Sequence, residues 1–216
     1  MARPRLPGGL YALTDPLLLP EERLAEGVAA AVAGGAAIVQ YRDKDADPTT
    51  RRRRGMLVLQ ACRARGALCI FNDDAALAAE LGADGVHLGR DDGSIARARE
   101  LVGPERLIGV SCYDQPALAA AAVAAGADYV AFGSVWPSHT KPGAVRAPLE
   151  LLGRMAGELA VPVVAIGGVT RANAAATIAA GAHCVAVIQD LFGVDDPRAA
   201  AAAISAACAR GRAAKV

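Results

Sequence analysis

The sequence predicts an α/β fold, a single-domain (β/α)8 barrel across residues 1–216, and three observations predict it. Short continuous apolar runs alternate with helix-length amphipathic segments, the signature of a parallel sheet covered by helices. Eight such units fit the chain, at roughly 27 residues each, a little below the usual barrel size. Polar groups follow the apolar runs on one side only, as a single site built from the carboxyl ends of parallel strands requires.

The runs carry the argument in chain order. Ile38-Val39 leads into Gln40-Tyr41-Arg42-Asp43-Lys44, Leu68-Cys69-Ile70-Phe71 into Asn72-Asp73-Asp74, and Val86-His87-Leu88-Gly89 into Arg90-Asp91-Asp92. Ile108-Gly109-Val110 reaches Ser111, Val130-Ala131-Phe132-Gly133 reaches Pro137-Ser138-His139-Thr140-Lys141-Pro142, and Val163-Val164-Ala165-Ile166 ends in Gly167-Gly168. Strands are expected near residues 9–14, 36–42, 67–72, 85–89, 107–112, 129–135, 161–167 and 184–189. A doubly wound open sheet is the competing fold. It would gather ligand groups near one switch point, whereas here strands two through seven all contribute, which favours the TIM-barrel arrangement.

Helix boundaries are marked by a weak repeat. Gly-Ala recurs before strand-like runs at Gly35, Gly66, Gly82, Gly126 and Gly181, each after an Ala/Leu-rich segment such as Leu24-Val28-Val32 or Leu77-Leu81. This reads as a helix closed by a glycine in a left-handed conformation, then a strand. Helix starts are expected at Pro20 before Glu21-Glu22, at Asp114 before Gln115-Pro116, and at Thr170.

Composition narrows the function. The chain is 54 % hydrophobic but only 4 % aromatic, so Ala, Val and Leu supply the packing. A net charge of +1 argues against nucleic acid or anionic membrane as partner. Arg51-Arg52-Arg53-Arg54 is the one dense basic run and reads as a solvated helix start, because consecutive residues wrap around a helix. Cys62, Cys69, Cys112, Cys184 and Cys208 have no metal-ligand spacing and suit reduced thiols. With no signal-peptide core at the N-terminus and no membrane-spanning stretch, a cytoplasmic location is expected. Small-molecule substrates are the expected partners, and a homo-oligomer is compatible with the sequence.

The polar ends carry chemistry. Asp73 and Asp92 stand one βα unit apart and can approach a common cation at the barrel mouth. Mg²⁺ suits such a site, because it takes few protein carboxylates and completes its shell with water and phosphate oxygens. Asp74 reads better as the cap of the following helix, and Asp91 and Asp92 pose the same choice between ligand and cap. Arg42, Lys44 and Lys141 supply positive charge, and Ser111, Ser138 and Thr140 hydroxyl donors, for a polyanion. Lys141 lies in a segment from Trp136 to Pro148, too long for an ordinary βα loop and therefore a candidate lid. Gly167-Gly168 precedes a helix start at the strand where barrels commonly hold phosphate. His87 and His183 read as packed core histidines, while His139 lies in the candidate lid.

These motifs, in this order, resemble the thiamine-phosphate synthase family from about Tyr11 to Phe192. The resemblance implies a transferase that joins 4-amino-5-hydroxymethyl-2-methylpyrimidine diphosphate to hydroxyethylthiazole phosphate, giving thiamine monophosphate and diphosphate. It implies one Mg²⁺ on Asp73 and Asp92, and a diphosphate held by Arg42, Lys44, Asn72, Ser111 and Lys141, with Ser138 and Thr140 from the lid. Arg42, Ser111 and Lys141 would carry catalysis. Gln40 would bond the aminopyrimidine, and Gly168, Ile188 and the backbone beside Gln189 the thiazole phosphate. The implied chemistry is dissociative: diphosphate leaves first, and the thiazole nitrogen attacks a pyrimidine cation. Three positions depart from the family pattern: Arg90 for a frequent Gln, Ser138 for a frequent Thr, and Gln189 for a frequent Ser. A thiazole tautomerase and a non-catalytic phosphate-binding regulator are the alternatives on the same fold. Asn72-Asp73, Asp92 and Lys141 argue against both.

Overall fold

The computed structural model describes residues 4–137 and 146–214. Eight parallel strands pair in chain order: β1 (Gly9–Leu13), β2 (Ile38–Tyr41), β3 (Leu68–Asn72), β4 (Gly85–Leu88), β5 (Leu107–Tyr113), β6 (Tyr129–Phe132), β7 (Val163–Ile166) and β8 (Cys184–Val187). Strand β8 pairs back onto β1, Gly9 opposite Cys184, so the sheet closes and the open-sheet alternative is excluded.

The strands read as unbroken apolar runs because both of their faces are buried, and the two faces meet different cores. Tyr11, Leu13, Ile38, Ile70, Leu107, Tyr129, Val164 and Ala186 fill the barrel interior. Their neighbours along the strands, such as Leu10, Val39, Phe71, Val86, Ile108, Val130 and Val185, face the surrounding helices. This period-two alternation sets Gln40, Asn72, His87 and Ser111 on the inner face, at or near the carboxyl ends of β2, β3, β4 and β5.

Helices α1 (Glu21–Ala33), α2 (Pro48–Arg63), α3 (Ala75–Leu81), α4 (Ile95–Val102), α5 (Pro116–Ala124), α6 (Leu149–Glu158), α7 (Ala174–Ala179), α8 (Gln189–Phe192) and α9 (Pro197–Ala213) alternate with the strands. All five glycines of the Gly-Ala repeat have positive φ, from 72° to 131°. At Gly82 the conformation is left-handed and closes α3 through bonds from its N–H to Ala78 and Ala79 carbonyls.

Two expected helix starts shift. Gln115, not Asp114, occupies the N-cap of α5, where Pro116 fixes the first turn without a side-chain cap. Helix α7 begins at Ala174 rather than just after Thr170. The delay has a cause: Asn173 accepts from the Thr170 N–H (2.7 Å) and donates to the Gly168 carbonyl (2.9 Å), holding these residues in a turn. No helix of the described residues is long and apolar enough to cross a membrane.

Candidate active site

The loop after β2 is locked from outside the barrel. Arg51 on α2 donates to the carbonyls of Asp43 (3.2 Å), Lys44 (3.2 Å) and Ala46 (3.0 Å), so one guanidinium fixes the turn that carries Lys44. Arg54 pairs with the buried Asp43 carboxylate at 2.6 Å and, with Arg53, with Glu21 of α1. Those two guanidinium groups hold the Glu21 carboxyl down at about 2. Arg52 pairs with Glu80. The run does open α2, with Arg52 and Arg53 exposed as expected, but its arginines also bind other elements. Residues on several sides of α2 supply carboxylates, so the four arginines point in different directions and each finds a partner.

From this turn the Lys44 ammonium reaches the Asp73 carboxylate at 2.9 Å. Asp73 follows β3 with φ of 66°, a left-handed backbone rare for a residue with a side chain. Its N–H donates to the His87 carbonyl (2.8 Å), which joins the ends of β3 and β4. Burial, and then the neighbouring Asp92 carboxylate, raise the Asp73 pKa above the usual carboxylate range, while Lys44 opposes them. Asp92 accepts from the Gly89 N–H at 2.7 Å. Two carboxylates thus stand at adjacent strand ends, with Lys44 paired to one of them.

The choice between ligand and cap resolves by geometry. Asp74 caps α3, accepting from the Leu77 N–H at 2.9 Å. Neither Asp91 nor Asp92 caps α4, because Ser94 does so through the Arg97 N–H (3.1 Å). Asp73 and Asp92 line one cleft together, and Lys44, Asn72 and Asp73 line an adjoining one with Arg51. Among the described residues no group of three or more metal-ligating side chains occurs. A pair of carboxylates with room for water and ligand oxygens is a donor set that fits Mg²⁺ and no transition metal in particular.

Arg42 is anchored by its backbone, whose N–H donates to the Thr14 hydroxyl (2.9 Å), and its guanidinium has no partner among the described residues. Arg90 lies over the Tyr113 ring, 4.6 Å from its centroid.

Below the mouth runs a chain of side chains that sequence reasoning missed. The Gln40 amide donates to the Tyr11 hydroxyl (3.0 Å), which bonds Tyr129 Oη (2.9 Å), which bonds His87 Nδ1 (3.1 Å), and His87 Nε2 bonds Ser111 Oγ (2.9 Å). His87 is buried as expected, and burial depresses its pKa to about 4, so the ring is neutral. It is nevertheless a connector between Tyr129 and Ser111 rather than mere packing. His183 is corrected: it is exposed before β8, with Nε2 on the Leu6 carbonyl (3.0 Å). The sequence did hold a signal for the chain. Two tyrosines inside strands of an aromatic-poor protein bring hydroxyls that must be satisfied.

On the opposite side of the barrel, Gly167 and Gly168 have φ of 94° and 68°. A Cβ on Gly167 would lie 2.7 Å from Ser134 backbone atoms, and one on Gly168 within 3 Å of the Trp136 and Pro137 carbonyls. The glycines are thus required by the loop leaving β6, which rests on this turn. Neither glycine N–H has an acceptor among the described residues. Ile188 is the N-cap of α8 and Gln189, exposed, its first residue. Trp136 is pinned by its indole N–H to Thr177 (2.9 Å). Ser138, Thr140 and Lys141, with His139, lie outside the described residues.

A closed parallel barrel with a carboxylate pair, basic side chains and loop N–H groups that have no acceptor among the described residues, all at the carboxyl ends of its strands, has the form of an enzyme that acts on small molecules. The comparisons specify which. The family model described as thiamine monophosphate synthase matches residues 10–191. The thiamine-phosphate synthase of Thiobacillus denitrificans is 54 % identical over 199 residues, covering 92 % of this chain and 94 % of that protein. The thiamine-phosphate synthase of Chromobacterium violaceum is 54 % identical over 197 residues, covering 91 % and 94 %. Among solved structures, a thiamine phosphate pyrophosphorylase from Pyrococcus furiosus superposes with a TM-score of 0.84 at 34 % identity, covering 94 % of this chain and 96 % of that one. This chain belongs to the thiamine monophosphate synthase family and is, with it, a transferase.

Proposed function

We propose that the protein condenses 4-amino-5-hydroxymethyl-2-methylpyrimidine diphosphate with hydroxyethylthiazole phosphate, releasing diphosphate and forming thiamine monophosphate. One observation carries the site reading: Asp73 and Asp92, at adjacent strand ends, line one cleft, where burial and then the Asp92 carboxylate raise the Asp73 pKa. A divalent cation relieves the repulsion between the two carboxylates. Both carboxylates would hold Mg²⁺, which when bound supplies positive charge to a departing diphosphate.

The chain's own residues divide the remaining work. Lys44 and Asn72 line the cleft beside Asp73, and Arg42 after β2 and Ser111 on β5 would join them around the diphosphate. Charge that develops on the leaving diphosphate meets fixed cations and donors that need no reorganisation. Lys141, Ser138 and Thr140 would complete this set from the segment after β6. Gln40 has its amide N–H committed to Tyr11, which leaves its carbonyl oxygen to accept from the amino group of the pyrimidine and orient the ring. The N–H groups of Gly168 and of the first turn of α8 at Ile188 and Gln189 suit the thiazole phosphate. The site offers cations for a leaving group, which favours departure of diphosphate before attack by the thiazole nitrogen. Five unpaired buried thiols support a reducing, cytoplasmic setting.

The test is incubation with both substrates and Mg²⁺. Thiamine monophosphate and diphosphate should form in equal amounts, and neither should form when either substrate or the metal is withheld. Product formation that is indifferent to Mg²⁺ would overturn the assignment of the carboxylate pair.

A further inference from the structure

The buried chain from Gln40 to Ser111 has a direction that can be settled by counting hydrogens. A glutamine amide N–H can only donate, so Tyr11 Oη accepts from Gln40. Tyr11 has one hydrogen left, and Tyr129 Oη is its partner in this fully buried place. If Tyr11 donates to Tyr129, then Tyr129 donates to His87 Nδ1, and His87 must carry its proton on Nε2 and donate to Ser111 Oγ. Every hydrogen in the chain then has an acceptor. In the reverse order Ser111 donates to Nε2 and Nδ1–H to Tyr129, and the Tyr11 hydrogen is left buried with nothing to bond. Stranding one buried donor costs about 1–3 kcal/mol, a bias of about 5- to 150-fold toward the first order.

We propose that Tyr11, Tyr129 and His87 are positioning residues that fix His87 as its Nε2–H tautomer and so leave the Ser111 hydroxyl hydrogen free to point into the barrel mouth as a donor. The inference rests on reading the mouth as a diphosphate site and adds to it. Ser111, already accepting from His87, offers its ligand a donor, which suits an oxygen of an anion and disfavours a protonated group there. Geometry supports the arrangement. His87 and Tyr129 flank Gly109 in register on β5, and the missing side chain lets their rings stack at 5.6 Å. The chain crosses the barrel from β2 and β1 to β6, β4 and β5, so no local sequence element could set it.

The tautomer can be read without any substrate. In ¹⁵N-histidine-labelled protein, two-bond correlations should show the His87 proton on Nε2. A proton on Nδ1 would overturn the proposal, whatever the enzyme is found to make. Tyr129→Phe removes the donor to Nδ1 and should release the tautomer preference, whereas Tyr11→Phe should preserve it, since Tyr129 then has His87 as its remaining acceptor. Turnover gives the second readout. Tyr129→Phe should lower kcat about 10-fold in the wild-type background and less than about 2-fold in Ser111→Ala, because residues acting through one group are not additive. An equal loss in both backgrounds would make Tyr129 a structural residue only. Should Tyr129→Phe fail to fold, the wild-type tautomer and the Tyr11→Phe variant still decide the question. A protein with the expected tautomer that forms no thiamine monophosphate would sink the functional reading and leave the hydrogen-bond order standing.

Discussion

Gly109→Ala places one methyl group where the structure has no room for it. A Cβ at Gly109 would lie inside van der Waals contact with Cζ, Cε2 and Oη of Tyr129, a ring with no solvent exposure. To regain an ordinary carbon–carbon separation the ring must retreat by roughly 1.5 Å. The bonds from Tyr129 Oη to Tyr11 (2.9 Å) and His87 (3.1 Å) would then exceed hydrogen-bonding distance. Overpacking costs about 1–3 kcal/mol, and each buried polar group left without its partner about 1–3 kcal/mol more. With both bonds lost, the total of about 3–9 kcal/mol is a large share of the 5–15 kcal/mol that holds a typical domain together. Urea unfolding followed by far-UV circular dichroism should show this as a lower midpoint at unchanged slope. Tyr129→Ala in the same molecule removes the clash, so the double variant should be more stable than the sum of its parts predicts. A Gly109→Ala protein within about 1 kcal/mol of wild type, or strict additivity with Tyr129→Ala, would refute the packing argument.

Other predictions address the mouth and the outer belt. Asp73→Asn and Asp92→Asn should each weaken Mg²⁺ binding by calorimetry and reduce turnover severely, while Asp74→Asn should leave both the metal affinity and the stability nearly intact, because an asparagine oxygen caps a helix as well as an aspartate one; equal loss of metal at all three positions would show the ligands misassigned. Lys141→Ala should lower kcat on the order of 10²-fold or more with little change in KM, the pattern of charge felt as diphosphate departs; a pure KM effect would make it a binding residue. Glu21 has a folded pKa of about 2 against a usual value of 4.5, so its ion pairs with Arg53 and Arg54 stabilise the fold above pH 4.5 and are lost as pH falls toward 2. Glu21→Gln should therefore flatten the acid limb of the stability profile, and an unchanged limb would remove these pairs from the account. The protein should not isomerise the thiazole carboxylate alone. Rapid metal-independent isomerisation of that carboxylate with no coupling product would overturn the assignment.

What could be read in the sequence follows from what is local. Strands buried on both faces declare themselves as apolar runs, and their polar ends follow directly, so the barrel and the grouping of Gln40, Asn72, Asp73, Asp92 and Ser111 were legible. Asp74 was recognisable as a cap because capping acts over three residues. Long-range pairing was not legible. Tyr11 and Tyr129 are 118 residues apart, and nothing near either one names its partner. The partners of Arg52 to Arg54 were hidden for the same reason, since Glu21, Asp43 and Glu80 come from other elements. His183 looked strand-bound, but it precedes β8 on the amino-terminal side, where the chain leading into β1 supplies its partner.

The row of hydroxyl, imidazole and amide groups across the barrel also fixes how deep the site can be. Tyr11 and Tyr129 meet edge to face at 6.2 Å and seal the lumen beneath Gln40 and Ser111. A ring that rests on this row meets a floor that cannot be lowered, because hollowing it out for a bulkier heterocycle would cut the bonds that orient the groups doing the recognising. Variation in what the enzyme accepts must therefore come from its walls and rim, such as the loops after β2 and β4, while the floor stays the same.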